Sequence, residues 1–245
     1  MKHIVLFSGG CGSAYEAYLA VEKYGKDSVI LLHTPTYAEH PSTNDFMDKV
    51  ANHLGLKIEY KADGRTLWEL IEQYKAMPNS MLPFCTQQLK QRQTEKVIRA
   101  YQKKGIEFTL HFGYGREETR RVQRQVARFE VKGINVEYLL FKSQISNNEV
   151  KQIIIKEWGI CLPIAYKVLG HNNCLPCFKG GKKHFYLIWK HFPSYFQKAK
   201  EAEQKTNYTV FKDIALEDLE KQFESQGDLG FFDGNLENIE CLCSL

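Results

Sequence analysis

A glycine-rich turn near the start of the chain is the sequence feature that most constrains its fold. The turn Ser8-Gly9-Gly10-Cys11-Gly12-Ser13 lies between the apolar run Ile4–Phe7 and a helix-like run that starts at Ala14. Glycine lets a backbone approach a ligand closely, and a helix N-terminus presents N–H groups and the positive end of its dipole. The pattern predicts a strand–turn–helix unit that binds phosphate. An ordinary tight turn is the alternative interpretation.

The segments that follow alternate between strand-like and helix-like patterns. After the first strand, further strands are predicted at Ser28–His33, Lys57–Tyr60, Ile106–Phe112 and Asn135–Phe141. This alternation predicts an α/β fold, a doubly wound and mostly parallel five-stranded sheet whose ligands bind at the carboxyl ends of strands.

The pattern changes at about residue 159, where Pro and Gly become frequent. We therefore predict a nucleotide-binding α/β domain over residues 1–158. We also predict a small helical C-terminal lobe over residues 159–245, which packs on the first domain. Between Asp228 and Asn235 the composition is typical of a flexible linker, which could bring the tail back over the active site.

Composition narrows the class of protein. The 245 residues are 43% hydrophobic and 25% charged with a net charge of +4, which is typical of a soluble globular protein. No apolar run approaches the roughly 20 residues that span a bilayer, so we expect a cytoplasmic location and no membrane association. Seven cysteines in such a chain favour metal, cluster or redox use over a disulfide framework.

Several short motifs occur in a family-like order along the chain. After S-G-G-x-x-S come C-T-x-x-L-K at Cys85–Lys90, a G-x-R-x-E-E-x-R-like stretch around Gly115 and Arg116, and C-x-x-C at Cys174–Cys177. Over roughly residues 1–205 they resemble the phosphoadenosine phosphosulfate (PAPS) reductase-like family of the PP-loop superfamily, the adenine nucleotide alpha hydrolases. Short phage or bacterial members are the most similar in pattern.

The sequence departs from this family pattern at two positions. Many relatives carry Asp where this chain has Gly12. In the stretch after the second strand, His33, Glu39 and His40 fit the family, but Thr34 replaces an Asp.

The resemblance implies a PP-loop or HUP-like fold that binds PAPS or ATP and carries out sulfur chemistry. One version is reduction of PAPS, and the other is ATP-dependent adenylylation with sulfur transfer. Lys90 and Arg116 would neutralise charge at the reacting group, with Cys85 beside them. The residues implied to bind the nucleotide are Ser8, Gly9, Gly10, Gly12, Ser13, His33, Gly115 and Arg116.

The cysteines support three interpretations. Cys174 and Cys177 with Cys241 and Cys243 have the paired spacing of a tetrahedral Zn²⁺ site. Alternatively, Cys85 joins Cys174 and Cys177 on a 4Fe–4S cluster with an open coordination position, an arrangement that resembles cluster-dependent thiolation enzymes. In the third interpretation Cys241 resembles the tail nucleophile of PAPS reductases, although the residues after Cys241 do not match theirs.

The partners follow from the same resemblance. We expect a nucleotide substrate with Mg²⁺ as a candidate cofactor, and candidate partners are a thiol reductant and a tRNA or DNA acceptor; an oligomer is also compatible. The arginines at 120, 121, 124 and 128 suit either a nucleic-acid surface or a solvated helix. A non-catalytic nucleotide- or nucleic-acid-associated protein with structural zinc is the alternative function.

Overall fold

The structure, a computed structural model, describes residues 1–226 of the chain. Its five strands are β1 (Lys2–Leu6), β2 (Val29–His33), β3 (Ile58–Tyr60), β4 (Phe108–His111) and β5 (Val136–Glu137). Its helices are α1 (Cys11–Tyr24), α2 (Ser42–Leu54), α3 (Leu67–Tyr74), α4 (Arg92–Lys103), α5 (Thr119–Glu130), α6 (Leu139–Lys142), α7 (Asn147–Lys156), α8 (Ala165–Leu169), α9 (Lys182–His191), α10 (Pro193–Thr206) and α11 (Leu216–Gln226). A π-helical turn, Thr86–Gln91, leads into α4.

All five strands are parallel and form one sheet in the order β3-β2-β1-β4-β5. The predicted α/β fold is therefore confirmed. Ile4 of β1 pairs with Ile30 on one side and with Leu110 on the other. From β1 the chain builds the sheet first in one direction and then, from β4, in the other. The carboxyl edge between β1 and β4 is thus the switch point where such sheets bind ligands.

Helices cover both faces of the sheet. Strand order and the right-handed rule for parallel crossovers place α1 and α2 on one face and α4 and α5 on the opposite face. Packing agrees with this, because α1 contacts α2, α6 and α7. The strands between these layers are apolar on both sides, as in Ile4, Val5 and Leu31, none of which is exposed.

The predicted fifth strand is only partly right. It was expected over Asn135–Phe141, but β5 ends at Glu137 and residues from Leu139 form the short helix α6. The physical reason is Glu16 on α1, a fully buried residue whose carboxylate accepts hydrogen bonds from the backbone N–H groups of Leu139 (3.0 Å) and Leu140 (2.8 Å). These bonds satisfy the first backbone N–H groups of α6, which have no partner inside the helix. In an extended strand the same N–H groups would point in other directions and would not reach Glu16.

Glu16 also belongs to a buried polar network. His111 of β4 bonds to Glu16 through Nδ1 at 3.1 Å and to Nδ1 of His3 through Nε2 at 3.0 Å. His3 stacks on Tyr24 with ring centroids 3.6 Å apart. Burial and the adjacent His111 lower the pKa of His3. The network joins α1, β1, β4 and α6 through groups that have little access to solvent.

The contacts divide the chain into two compact units, neither of which is a continuous stretch. The first unit comprises Met1–Thr34, Pro41–Lys61 and Gln93–Ile164, and it contains the sheet. The second comprises Pro35–His40, Ala62–Arg92 and the chain from Ala165 onward. The predicted domain division after residue 158 stays a prediction.

The second unit is helical and has its own apolar core. Helix α3 begins at a capping box in which Thr66 and Glu69 satisfy each other's backbone N–H groups. Its buried side chains pack with those of α8 to α11, and the largest of them include Leu70, Phe185, Phe196 and Phe223.

None of the described helices combines the length and the hydrophobicity that crossing a bilayer requires. Cys241, Cys243 and the predicted linker Asp228–Asn235 lie outside the described residues. The zinc and tail-nucleophile interpretations that depend on them therefore stay predictions.

Candidate functional site

The glycine-rich turn follows β1 directly, and α1 begins inside it at Cys11. Gly9 has φ +78°, and a Cβ added there would lie 2.6 Å from Cγ2 of Thr43. Both the left-handed backbone and the lack of space require glycine at this position. The N-cap of α1 is Gly10, which has no side chain to cap the helix. The turn therefore presents backbone, with the positive end of α1 behind it, as a phosphate site needs.

The two serines of the turn differ in their surroundings. Ser13 is buried, and its Oγ donates to the carbonyl of Gly10 at 2.8 Å and accepts from the N–H of Ser8 at 3.3 Å. Ser13 thus holds the turn together from inside, while Ser8 is exposed and its Oγ donates to the Oγ of Ser13 at 3.3 Å.

Gly12 packs against the segment that follows β4. A Cβ on Gly12 would lie 2.5 Å from the carbonyl oxygen of Gly113, and a Cβ on Gly113 would collide with the backbone of Gly12. These obstacles are backbone atoms, which cannot rotate away. The contact leaves no room for a side chain at position 12, and it joins the carboxyl ends of β1 and β4 at the switch point of the sheet.

Arg116 lies at the same edge of the sheet, just after this contact. It is exposed, and its Nη1 donates to the carbonyl of Gln144 at 3.4 Å. Glu118 accepts from the N–H of Gly115 at 2.9 Å and forms an ion pair with Arg121, whose guanidinium lies 4.4 Å from the ring centre of Tyr114. Glu118 therefore orients Arg121 and the backbone at Gly115, and it leaves the Arg116 guanidinium at the surface.

His33, the last residue of β2, is buried. Its Nδ1 donates to the carbonyl of Phe7 at 2.7 Å, and its ring meets that of Tyr60 edge to face. The bond to Phe7 supports the strand end from which the glycine-rich turn departs. A direct contact of His33 with nucleotide stays a prediction.

A small concave pocket, called the cysteine cavity below, lies within the second unit. Its lining residues include three cysteines and two lysines, namely Cys85, Cys174, Cys177, Lys90 and Lys179. Cys85 and Lys90 belong to the segment that contains the π-helical turn, and the other three belong to the C-x-x-C segment. Thr36, Leu67, Thr86, Pro176 and Phe178 complete the lining. Thiol nucleophiles and cations in one concave site suit chemistry on an anionic sulfur or phosphorus group.

Hydrogen bonds fix the polar groups of this cavity. Lys179 Nζ donates to Oγ1 of Thr86 at 2.9 Å. The Oγ1 of Thr36 lies 3.1 Å from the sulfur of Cys174 and 2.6 Å from a carboxylate oxygen of Glu39. Because this hydroxyl carries one hydrogen, it can donate to Glu39 or to a Cys174 thiolate, but not fully to both.

His184 supports the C-x-x-C segment from behind. Its Nε2 accepts from the backbone N–H of Cys177 at 3.0 Å, and the side chain is 3% exposed. Burial, with a smaller contribution from His171, lowers the pKa of His184 to about 3. The ring is therefore neutral near pH 7, as its acceptor role requires.

The three cysteines of the cavity do not by themselves fit a metal ion or a cluster. Although Cys85, Cys174 and Cys177 line one cavity, residues 1–226 contain no group of three or more His, Cys, Asp or Glu side chains placed to hold a metal ion. The described residues alone do not form a ready ligand set. We therefore derive no step through a metal or a cluster.

Comparison with known families agrees with this geometry. The sequence model of the phosphoadenosine phosphosulfate reductase domain matches residues 2–140, which is more than half of the chain. The chain belongs to the phosphoadenosine phosphosulfate reductase family. The match covers the glycine-rich turn, Cys85 to Lys90 and Arg116, so this family member is a PP-loop protein of a nucleotide-binding, generally enzymatic class. A search of curated proteins found no match.

Sequence reasoning missed several residues of the two sites. Thr36 follows the second strand, in the stretch where His33, Glu39 and His40 fit the family pattern. Its hydroxyl and its backbone bond within the second unit, and its carbonyl accepts from the N–H of Leu67 at 3.1 Å. Lys179 lies two residues after Cys177, and this closeness to the C-x-x-C motif is the sequence signal that marks it as a site residue. Gly113 carried no signal, because its requirement for glycine comes from a contact with Gly12, about a hundred residues away.

Proposed function

We propose that this chain is an enzyme that binds ATP or PAPS at residues 8–13 and carries out sulfur chemistry with the thiols of the second unit. The observation that carries the proposal is that Cys85, Cys174 and Cys177 line one pocket, together with Lys90 and Lys179. In this proposal the backbone of the turn and Ser8 bind phosphate, and Arg116 and Lys90 balance the charge that develops at the reacting group.

Two reactions fit the proposal. In the first, a thiolate, Cys241 by resemblance, attacks the sulfonate sulfur of PAPS; the nucleotide leaves, and a thiol reductant then releases sulfite as a disulfide forms. In the second, ATP adenylylates an acceptor, which a nucleic acid supplies, and pyrophosphate leaves. A persulfide donor transfers its outer sulfur to Cys85, Cys174 or Cys177, and the outer sulfur of the resulting persulfide attacks the acceptor and displaces AMP. A second thiol then attacks the cysteine sulfur and releases the thiolated product as a disulfide forms. The clustering of three thiols supports the second reaction, while the family supports the first.

Nucleotide binding is tested by calorimetry with ATP, AMP and PAPS. We expect the Ser8→Asp variant to bind ATP or PAPS at least about tenfold more weakly, because a carboxylate at the turn repels phosphate. Ser225→Asp, an exposed serine of α11, is the matched control and should bind normally. Absence of heat with all three nucleotides would overturn the proposal.

The reaction is tested by turnover and metal content. Anaerobically prepared protein is incubated with each nucleotide and a thiol donor, and sulfite, AMP and pyrophosphate are measured together with zinc and iron. Loss of sulfite release in Cys241→Ser supports PAPS reduction, whereas loss of AMP formation in Cys85→Ser or Cys174→Ser supports sulfur transfer. Nucleotide binding without any product would favour the non-catalytic alternative.

A further inference from the structure

The positive charge of this chain is concentrated in one stretch of the first unit. Residues 93–132 contain ten Lys and Arg against five Asp and Glu, a net charge of +5. The whole chain contains 33 against 29, so the remaining residues contain 23 against 24 and have a net charge of −1. The excess of positive charge therefore comes from α4, α5 and their connections.

The structure brings these charges to one surface. We define the basic surface as the side chains of Lys96, Arg99, Lys103, Arg120, Arg124 and Arg128. All are exposed except Arg128, which is half-buried. Helices α4 and α5 lie on the same face of the sheet, and Glu95 of α4 bonds to Lys132 at 3.0 Å and lies 3.9 Å from Arg128. Glu95 thus bridges the two helices, and the basic side chains continue on both sides of it.

The arginines of α5 follow a regular spacing. Arg120, Arg124 and Arg128 are each four residues apart, so they form a row along one side of the helix with a rise of about 6 Å per step. A row of guanidinium groups at even spacing matches a linear polyanion whose charges also repeat. The backbone of a nucleic acid is such a polyanion.

The apolar groups of the surface indicate which form of nucleic acid fits. Single-stranded nucleic acids are usually held by exposed aromatic rings that stack on the bases. Within residues 93–132, all of which the structure describes, no aromatic residue is exposed, and Tyr101 packs edge to face on Phe108. A surface that offers cations without stacking platforms suits a duplex, whose bases are already paired and whose phosphates face outward.

We propose that the basic surface binds the sugar–phosphate backbone of double-helical nucleic acid. This surface is distinct from the glycine-rich turn and from the cysteine cavity, and the proposal does not rest on the proposed function. Binding through phosphate contacts implies weak dependence on base sequence and strong dependence on salt.

The test is fluorescence anisotropy with labelled DNA and RNA duplexes, measured over a range of salt concentrations and without nucleotide. The test variant combines Arg99→Glu, Arg120→Glu and Arg124→Glu, which are exposed and belong to no ion pair among the described residues. The control combines Lys26→Glu, Lys49→Glu and Lys57→Glu, which are exposed elsewhere in the first unit and change the net charge equally. Circular dichroism checks that both variants fold.

We expect the test variant to bind at least one duplex at least about tenfold more weakly than the wild type, and the control to bind within about twofold. The slope of log affinity against log salt should decrease by about three in the test variant. Equal weakening in both variants would overturn the proposal. It would also be overturned if a single strand or a poly-glutamate peptide bound as tightly as the duplexes. Because nucleotide is absent, such a failure would leave the proposed nucleotide chemistry intact.

Discussion

At the scale of single residues, a contact between two glycines determines what the phosphate turn can contain. The carbonyl of Gly113 fills the space that a side chain at position 12 would occupy, so the Asp common among relatives has no room here. Any chemistry at this turn must therefore use the backbone, Ser8 and cations, without a carboxylate at that position. The absence of that Asp is a packing feature and does not by itself indicate a lost activity.

His184 makes stability depend on pH. Its pKa is about 3 in the folded chain because of burial and near its ordinary value of 6.5 when unfolded. Between those values the unfolded state binds the extra proton, so the free energy of unfolding should fall as the pH falls, by up to about 1.4 kcal/mol per pH unit. Urea unfolding between pH 7.5 and 4.5 should therefore show a flatter pH dependence in His184→Gln than in the wild type.

The matched control for this measurement is His191→Gln. His191 lies on the same helix but is exposed, so its replacement should leave the slope unchanged. If the free energy of unfolding changed equally with pH in the wild type and in His184→Gln, the prediction would be contradicted.

At the scale of helices and strands, two buried glutamates begin helices that are distant from them in sequence. Glu16 accepts from the first N–H groups of α6. Glu203 accepts from the N–H of Leu216 (2.7 Å), the first residue of α11, and from the N–H of Val210 (2.5 Å) in the connection before it. Burial raises the pKa of Glu203, and these two backbone bonds oppose that rise. Both residues accept hydrogen bonds from backbone N–H groups that a helix start leaves without a partner inside the helix.

Replacing Glu16 by Gln should destabilise the first unit by roughly 2 to 4 kcal/mol. The amide keeps one acceptor oxygen but turns an N–H group toward donors, so buried backbone groups of α6 lose a partner. Glu22→Gln, an exposed position on the same helix, is the control and should change stability by less than about 0.5 kcal/mol. Urea unfolding of both variants gives their free energies of unfolding. An equal loss of stability in Glu16→Gln and Glu22→Gln would contradict the capping role of Glu16.

At the scale of the whole molecule, the core of the second unit is assembled from distant segments. Leu70 and Leu89 come from the connection between β3 and β4, whereas Phe185 and Phe196 come from the chain after residue 165, and all four are at most 1% exposed. Each such side chain contributes about 1.5–3 kcal/mol through burial, so neither segment can be stable without the other.

A fragment of residues 1–158 tests this arrangement and the predicted domain boundary together. We expect residues 62–92 of the fragment to be cleaved by a protease at least about tenfold faster than in the full chain, because their apolar side chains lose their partners. Mass spectrometry of the digestion products measures the rates. Equal protection in the fragment and the full chain would support an independent domain that ends at residue 158.

The sequence by itself determined the parallel α/β fold and the glycine-rich turn, because short apolar runs, helix-like segments and glycine act through neighbours in the chain. The predicted strand ends differ from those of the structure by at most two residues, except at the end of β5. There, hydrogen bonds from the N–H groups of Leu139 and Leu140 to Glu16 of α1 favour a helix. Only the tertiary structure decided that Gly113 must be glycine, and that Thr36 and Lys179 line a cavity with the cysteines. Those features depend on contacts between residues far apart in the chain, which no local pattern encodes.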